Sequence, residues 1–134
     1  MTIPLAVGVS TSRDIIVDEG RIVTFVEGTV RVYATPEIIW DMERVCRDLF
    51  NDHLPAGEDS LGVKVDIVHV AAGLPGTTIR VTATVAAFDG RRVMFNVTAS
   101  DGLEVVAHGQ HERVMVSLTR VAERLAFKQK RLGL

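Results

Sequence analysis

The chain has a single cysteine, Cys46, among its 134 residues. One thiol closes no internal disulfide and holds no metal by itself, so a cystine scaffold and a cysteine-based metal centre are both excluded. No apolar run approaches the ~20 residues needed to span a bilayer. Residues Met1–Ser10 are mildly apolar but carry no basic leader region. These absences predict a cytoplasmic, reducing setting with no membrane partner. Positive charge is not in excess either: 15 Lys and Arg face 17 Asp and Glu, for a net charge of −2. No surplus of cations is available for phosphates, so no nucleic-acid partner is expected. The short basic tail Lys128–Arg131 reads as a solvated helix end. Gly57, Gly62, Gly73 and Gly76 have neither Walker nor Rossmann spacing. His108 and His111 stand three apart on an expected strand, so they point to opposite faces and share no metal. With no repeat, low-complexity stretch or linker, residues 1–134 are expected to form one domain.

What is present alternates between strand and helix signals. Asp14–Val17, Arg21–Val26 and Thr29–Tyr33 are β-prone and punctuated by Asp18-Glu19-Gly20 and Glu27-Gly28. Thr35 is suited to cap a helix, Pro36 to open it, and Glu37 to its positive end. That helix should run to about His53, where Leu54-Pro55-Ala56-Gly57 stops it. A polar loop, Gly57–Ser60, precedes a period of two that puts Val63, Val65, Ile67 and His69 on one face. After a turn at Leu74-Pro75-Gly76, strands are expected over Thr77–Phe88, Arg91–Ser100 and Leu103–Leu118. Asp89-Gly90 and Asp101-Gly102 are hairpin signals between them. Gly109 interrupts the last alternation and suggests a bulge. Helical spacing returns over Thr119–Arg131. The outline predicts an α+β fold: one long helix, then a four-strand antiparallel meander against which it buries its apolar stripe, and a short C-terminal helix.

Two polar residues fall on faces that should be apolar. On the helical wheel Ile38, Met42, Val45, Cys46, Leu49 and Phe50 form one arc, while Asp41, Arg44, Arg47 and Asp48 lie opposite. Glu43 is the carboxylate inside the apolar arc. Either it sits at the edge of the stripe and reaches water, or it is held in a helix–sheet cleft where desolvation suits it to act as a base. His69 shares a face with Val63, Val65 and Ile67. It is either a core imidazole bonded to backbone or an acid–base group. Thr35 alone is a helix cap, although a helix start also suits a thioester carbonyl or oxyanion. Arg113, in His111-Glu112-Arg113, is either a surface ion-pair former or a cation for an acyl or phosphate group. Cys46 reads as a small core residue.

The combined spacing resembles one known family. Tyr33-Ala34-Thr35 is followed by Glu43. Ser60-Leu61-Gly62 is followed by His69, and then comes Gly109-Gln110-His111-Glu112-Arg113. Together with Leu74-Pro75-Gly76, Gly90-Arg91-Arg92 and Ser100-Asp101-Gly102, this set resembles the fluoroacetyl-CoA thioesterase-like group of hotdog-fold proteins. The resemblance implies an antiparallel sheet wrapped around one central helix. It implies Thr35, Glu43 and His69 as the catalytic set, with Gly62 and Arg113 holding the acyl group. It also implies a homodimer with active sites at the interface, and no cofactor beyond the coenzyme A of the substrate. The expected activity is hydrolysis of a short acyl-CoA thioester to free acid and CoA. Two departures stand out. Pro36 replaces the family's glycine and removes an amide donor. The stretch Glu27-Gly28-Thr29-Val30-Arg31 is shorter than the family's lid and has no phenylalanine, which points away from fluoroacetyl-CoA as substrate. The competing expectation is a non-catalytic acyl-CoA or acyl-ligand binding module. A dehydratase or isomerase fits less well, because those hotdog enzymes place an Asp or His on the helix.

Overall fold

A computed structural model describes residues 4–25 and 28–134. Strand β1 (Ser10–Ile16) leads through a 3-10 turn (Glu19–Arg21) to the short strands β2 (Ile22–Phe25) and β3 (Val30–Tyr33). Helix α1 (Thr35–Asn51) follows, then β4 (Glu58–His69), β5 (Thr78–Phe88), β6 (Arg92–Ser100), β7 (Val105–Ser117) and helix α2 (Leu118–Leu132). Val26, expected to end a strand, and Glu27, expected in the turn after it, lie outside the described residues.

The long helix forms because its apolar residues recur at helical spacing. Ile38, Met42, Val45, Cys46, Leu49 and Phe50 are all buried. Each such side chain contributes roughly 1.5–3 kcal/mol on burial. They meet the inward rows Ile79–Val81–Ala83–Val85 of β5 and Val93–Phe95–Val97–Ala99 of β6, which alternate with exposed or half-buried neighbours. One buried apolar cluster joins helix and sheet. The helix ends at Asn51 rather than His53, where the His53 ring bonds the Leu49 carbonyl at 2.9 Å.

The sheet order is β1-β5-β6-β7-β4, all antiparallel, with β2-β3 as a separate pair. The expected four-strand meander is therefore corrected. β5, β6 and β7 form a meander, but β4 joins the far side of β7 and becomes an edge, while β1 pairs with β5. The chain after β4 crosses the end of the sheet, held there by Val70 and Ala71 amides that donate to the Val106 carbonyl and by Tyr33 N–H donating to Gly73 O. A linear reading of alternation does not carry this crossover, because both topologies share the same strands.

Local expectations shift for identifiable reasons. The polar stretch 57–60 is not a loop beyond Gly57: β4 begins at Glu58, and Asp59 is tied to Arg47 and Asn51. The anticipated bulge at Gly109 is absent, since Gly109 pairs in register with Ile67 and Val97. The register shifts lie instead between Gly62 and Lys64, between Val85 and Ala87, and between Ala99 and Ser100. Gly109 is glycine because the neighbouring strand is too close. A Cβ there would stand 2.0 Å from the Asp66 carbonyl oxygen, and its φ is +157°.

Substituting Gly109→Ala should destabilise the fold by more than about 2 kcal/mol, the range for forced overpacking and strain. Urea unfolding of the two proteins measures it. A change within about 0.5 kcal/mol, typical of a neutral surface site, would show that β4 and β7 can separate freely.

Candidate active site

The chain entering α1 is clamped before the first helical turn. Asp41 of α1 is 2% exposed, which corrects its placement on the solvent arc. It accepts hydrogen bonds from Arg21 Nε at 2.8 Å and Arg21 Nη2 at 3.0 Å, and from the Tyr33 hydroxyl. Burial and Asp41 together push the Tyr33 phenol far above its ordinary range, so it stays a neutral donor. The sequence held a signal for this: Asp41 stands three residues after Ile38 and four before Val45, the spacing of the buried stripe.

That clamp fixes Thr35. Ala34 is the N-cap and Thr35 the first helical residue, with no side-chain cap bond, so the capping role expected of Thr35 is not observed. Its hydroxyl instead lies 2.7 Å from His69 Nδ1 on the end of β4. The other imidazole nitrogen, Nε2, is buried and has no hydrogen-bond partner among the described residues. An orphaned ring nitrogen in the interior is costly unless a ligand or reacting group completes it. The helix start offers little else: the Glu37 and Ile38 amides both donate to the Ala34 carbonyl, and Pro36 has none.

Glu43 lies eight residues further along α1, about 12 Å by helical rise. Its side chain is 37% exposed, at the margin of the stripe, and its carboxylate stands 3.9 Å from Arg113 Nη1. Arg113 is 5% exposed and is not a surface residue. Its Nε donates to Ser60 Oγ at 2.9 Å and its Nη2 to the Ser60 carbonyl at 2.8 Å. Its Nη1 lies 3.2 Å from His111 Nε2. Gly62 closes the cluster. A Cβ there would meet His111 Cε1 at 3.1 Å, Arg113 Nη1 at 3.3 Å and Glu43 Oε2 at 3.6 Å, so only glycine leaves that approach open. The β4 bulge after Gly62 interrupts the ladder at the same point, as bulges beside functional sites do.

One chain thus assembles two half-sites. Thr35 meets His69, and Glu43 meets Gly62 and Arg113. Among the described residues no hydrogen bond or ion pair joins Glu43 to Thr35 or His69. Ser60 and His111 are functional neighbours that residue-by-residue reading passed over. His111, weighed only as a metal ligand, is 2% exposed and orients Arg113, whereas His108 is exposed on the other face. No group of three or more His, Cys, Asp or Glu is placed to hold a metal among the described residues. Cys46 is buried with its thiol pushed up to about 12 by desolvation, which makes it inert packing.

Comparison with known proteins assigns the family and the fold. Residues 17–119 match the family described as fluoroacetyl-CoA-specific thioesterase, FlK. The chain belongs to this family. Over 89 residues it is 37% identical to a fluoroacetyl-CoA thioesterase from Streptantibioticus cattleyicolor, a match covering 66% of this chain and 64% of that relative's length. A solved structure of an FlK variant in complex with fluoroacetate and CoA is 31% identical and superposes with a TM-score of 0.78, covering 87% of this chain and 99% of that one. A Thermus thermophilus hypothetical protein described as a thioesterase superfamily member gives a TM-score of 0.87 at 29% identity, with 98% of both chains covered. The fold is therefore the hotdog fold of the FlK family, with its helix wrapped by the antiparallel sheet.

His111 predicts a pH dependence of stability. Burial holds its pKa below the ordinary 6.5, Arg113 adds to this, and the Lys64 carbonyl, Glu43 and Glu112 oppose it. Its Nδ1, 2.8 Å from the Lys64 carbonyl, carries the donated proton, and Nε2 faces the Arg113 donor. The folded ring stays neutral where the unfolded one protonates, so the unfolded state binds more protons as pH falls. The contribution is present above about pH 6.5 and declines below it. Melting temperatures at pH 7.5 and 5.5 should fall more steeply for the native protein than for His111→Gln; equal slopes would discard this account.

Proposed function

We propose that the protein is an acyl-CoA thioesterase that hydrolyses a short acyl-CoA thioester to the free acid and CoA. The carrying observation is the Thr35–His69 hydrogen bond at the start of α1, with the imidazole's second nitrogen buried and unpartnered. A hydroxyl and an imidazole at hydrogen-bond distance are the elements of a nucleophile with its base. Family membership and the named relatives supply the substrate class.

In this reading His69 accepts the proton of the attacking hydroxyl. The attacker is Thr35 itself, or a water held by Glu43. The tetrahedral oxyanion is met near the Gly62 backbone, because the α1 start retains no amide at Pro36 and its next two amides are engaged. Arg113 orients the acyl group beside Glu43. The His69 proton then passes to the departing CoA sulfur. On the water path this gives the free acid directly. On the Thr35 path a water deprotonated by the same imidazole then cleaves the acyl-threonine ester, returning the hydroxyl and releasing the acid. No cofactor beyond the CoA of the substrate takes part. The substrate is a general short acyl-CoA; of the lid-equivalent stretch, Glu27 lies outside the described residues, and Gly28–Arg31 carry no aromatic side chain.

The two half-sites are completed by a second copy. β4 is an edge strand that exposes Leu61, Val63, Val65 and Val68. Apolar, unpaired edges invite pairing with another chain. Antiparallel pairing of two β4 strands brings the end that carries His69 in one copy beside the end that carries Gly62 in the other. A homodimer with interface active sites follows, functioning in the cytoplasm. No helix among the described residues is long and apolar enough to cross a membrane.

With a panel of short acyl-CoA esters and release of free thiol as readout, Thr35→Ala, Glu43→Ala and His69→Ala should each lower kcat by about 100-fold or more. Near-native turnover in the Glu43 and His69 variants would remove this mechanism. Absence of thiol release from the native protein, with CoA esters still bound, would instead identify a binding module. Val65→Lys should convert the dimer to a monomer in sedimentation and abolish turnover, whereas an active monomer would refute the shared site.

A further inference from the structure

Twelve arginines are distributed over the chain, and nine have a partner. Arg13, Arg21, Arg31, Arg47, Arg80 and Arg92 pair with carboxylates. Arg113 is held by Ser60, and Arg44 and Arg131 lie over aromatic rings. The other three, Arg91, Arg120 and Arg124, make no side-chain hydrogen bond, ion pair or ring contact with any described residue. All three line one cavity of about 690 Å³ where β7 passes into α2. Glu58, Met115 and Ser117 also line it. Arg120 and Arg124 are four apart on one helix face, where like charges repel. Glu58 offsets one of the three charges, which leaves the cavity cationic.

We propose that this cavity binds the phosphates at the nucleotide end of the coenzyme A ester. The proposal rests on the acyl-CoA reading above and locates the part of the substrate furthest from the chemistry. Guanidinium groups grip phosphate bidentately, and the cavity is in the range of small-ligand sites, roughly 300–1,000 Å³. Its position fits as well. Glu58, Ser60 and Gly62 follow one another on the same face of β4, paired with Ser117, Met115 and Arg113 of β7. The cavity therefore continues the row that holds Gly62 and Arg113, four residues away, or about 13 Å of strand. A CoA ester carries its thioester and its phosphates at opposite ends of a long flexible arm, which suits two sites separated along one groove.

Calorimetric titration with coenzyme A, pantetheine and inorganic phosphate tests the assignment. R120Q/R124Q should weaken coenzyme A binding tenfold or more and reduce its salt dependence, with pantetheine binding unmoved. R131Q, on the same helix but outside the cavity, should leave coenzyme A binding unchanged. If the double variant fails to fold by circular dichroism, R91Q on the β5–β6 hairpin should weaken coenzyme A binding at least threefold. Unchanged coenzyme A affinity in the folded variants would overturn the proposal, as would inorganic phosphate binding as tightly as coenzyme A. The thiol-release assay is independent of these titrations. Its failure sinks the thioesterase reading, and the coenzyme A titration still decides the fate of this cavity.

Discussion

The burial of one helical stripe against one sheet face organises the molecule. Ile38, Met42, Val45, Cys46, Leu49 and Phe50 need an apolar surface, and the inward rows of β5 and β6 provide it. Once α1 is seated, its two flanks are fixed in space. Asp41 on one flank is driven into the interior and must be compensated, which recruits Arg21 and Tyr33 and so ties down the residues just before Thr35. Glu43 on the other flank comes to lie beside Arg113 and Gly62. The candidate chemistry is thus a by-product of where the packing stripe ends.

Arg113 shows how the interior supports the site. A guanidinium that is 5% exposed survives only if its donors are occupied, and Ser60, His111 and Glu43 divide them. The neutral His111 ring is part of that arrangement: protonated, it would set a second cation against the first. His111, Arg113 and Glu43 stand so close to Gly62 that a Cβ there would press on the first two by a few tenths of an ångström. Backbone access at Gly62 and charge balance in the interior therefore depend on one small cluster.

Much of this was legible in the chain itself. The helix, the β5–β6–β7 hairpins and the odd positions of Glu43 and His69 follow from periodicity and turn chemistry, and the family spacing joined them to Thr35, Gly62 and Arg113. What was not legible is non-local. The β4 crossover depends on which edge of the sheet is vacant, and alternation is silent on that. The burial of Asp41 and Arg113 depends on partners 20 and 53 residues away in sequence. Gly109 stands out as an irregularity in the alternation, but its cause, a carbonyl of the adjacent strand, lies outside its own segment.

Helix α2 differs from α1 in one respect: none of its residues is buried, although Leu118, Leu125, Phe127 and Leu132 are apolar. It is held chiefly by its covalent continuation from β7. Such an element opens locally at little free-energy cost, well below that of the whole fold. Its amides should exchange with deuterium long before those of α1. Whatever binds across it is ordering a spring rather than meeting a wall, and the affinity of such a contact is reduced by the entropy of holding that spring still.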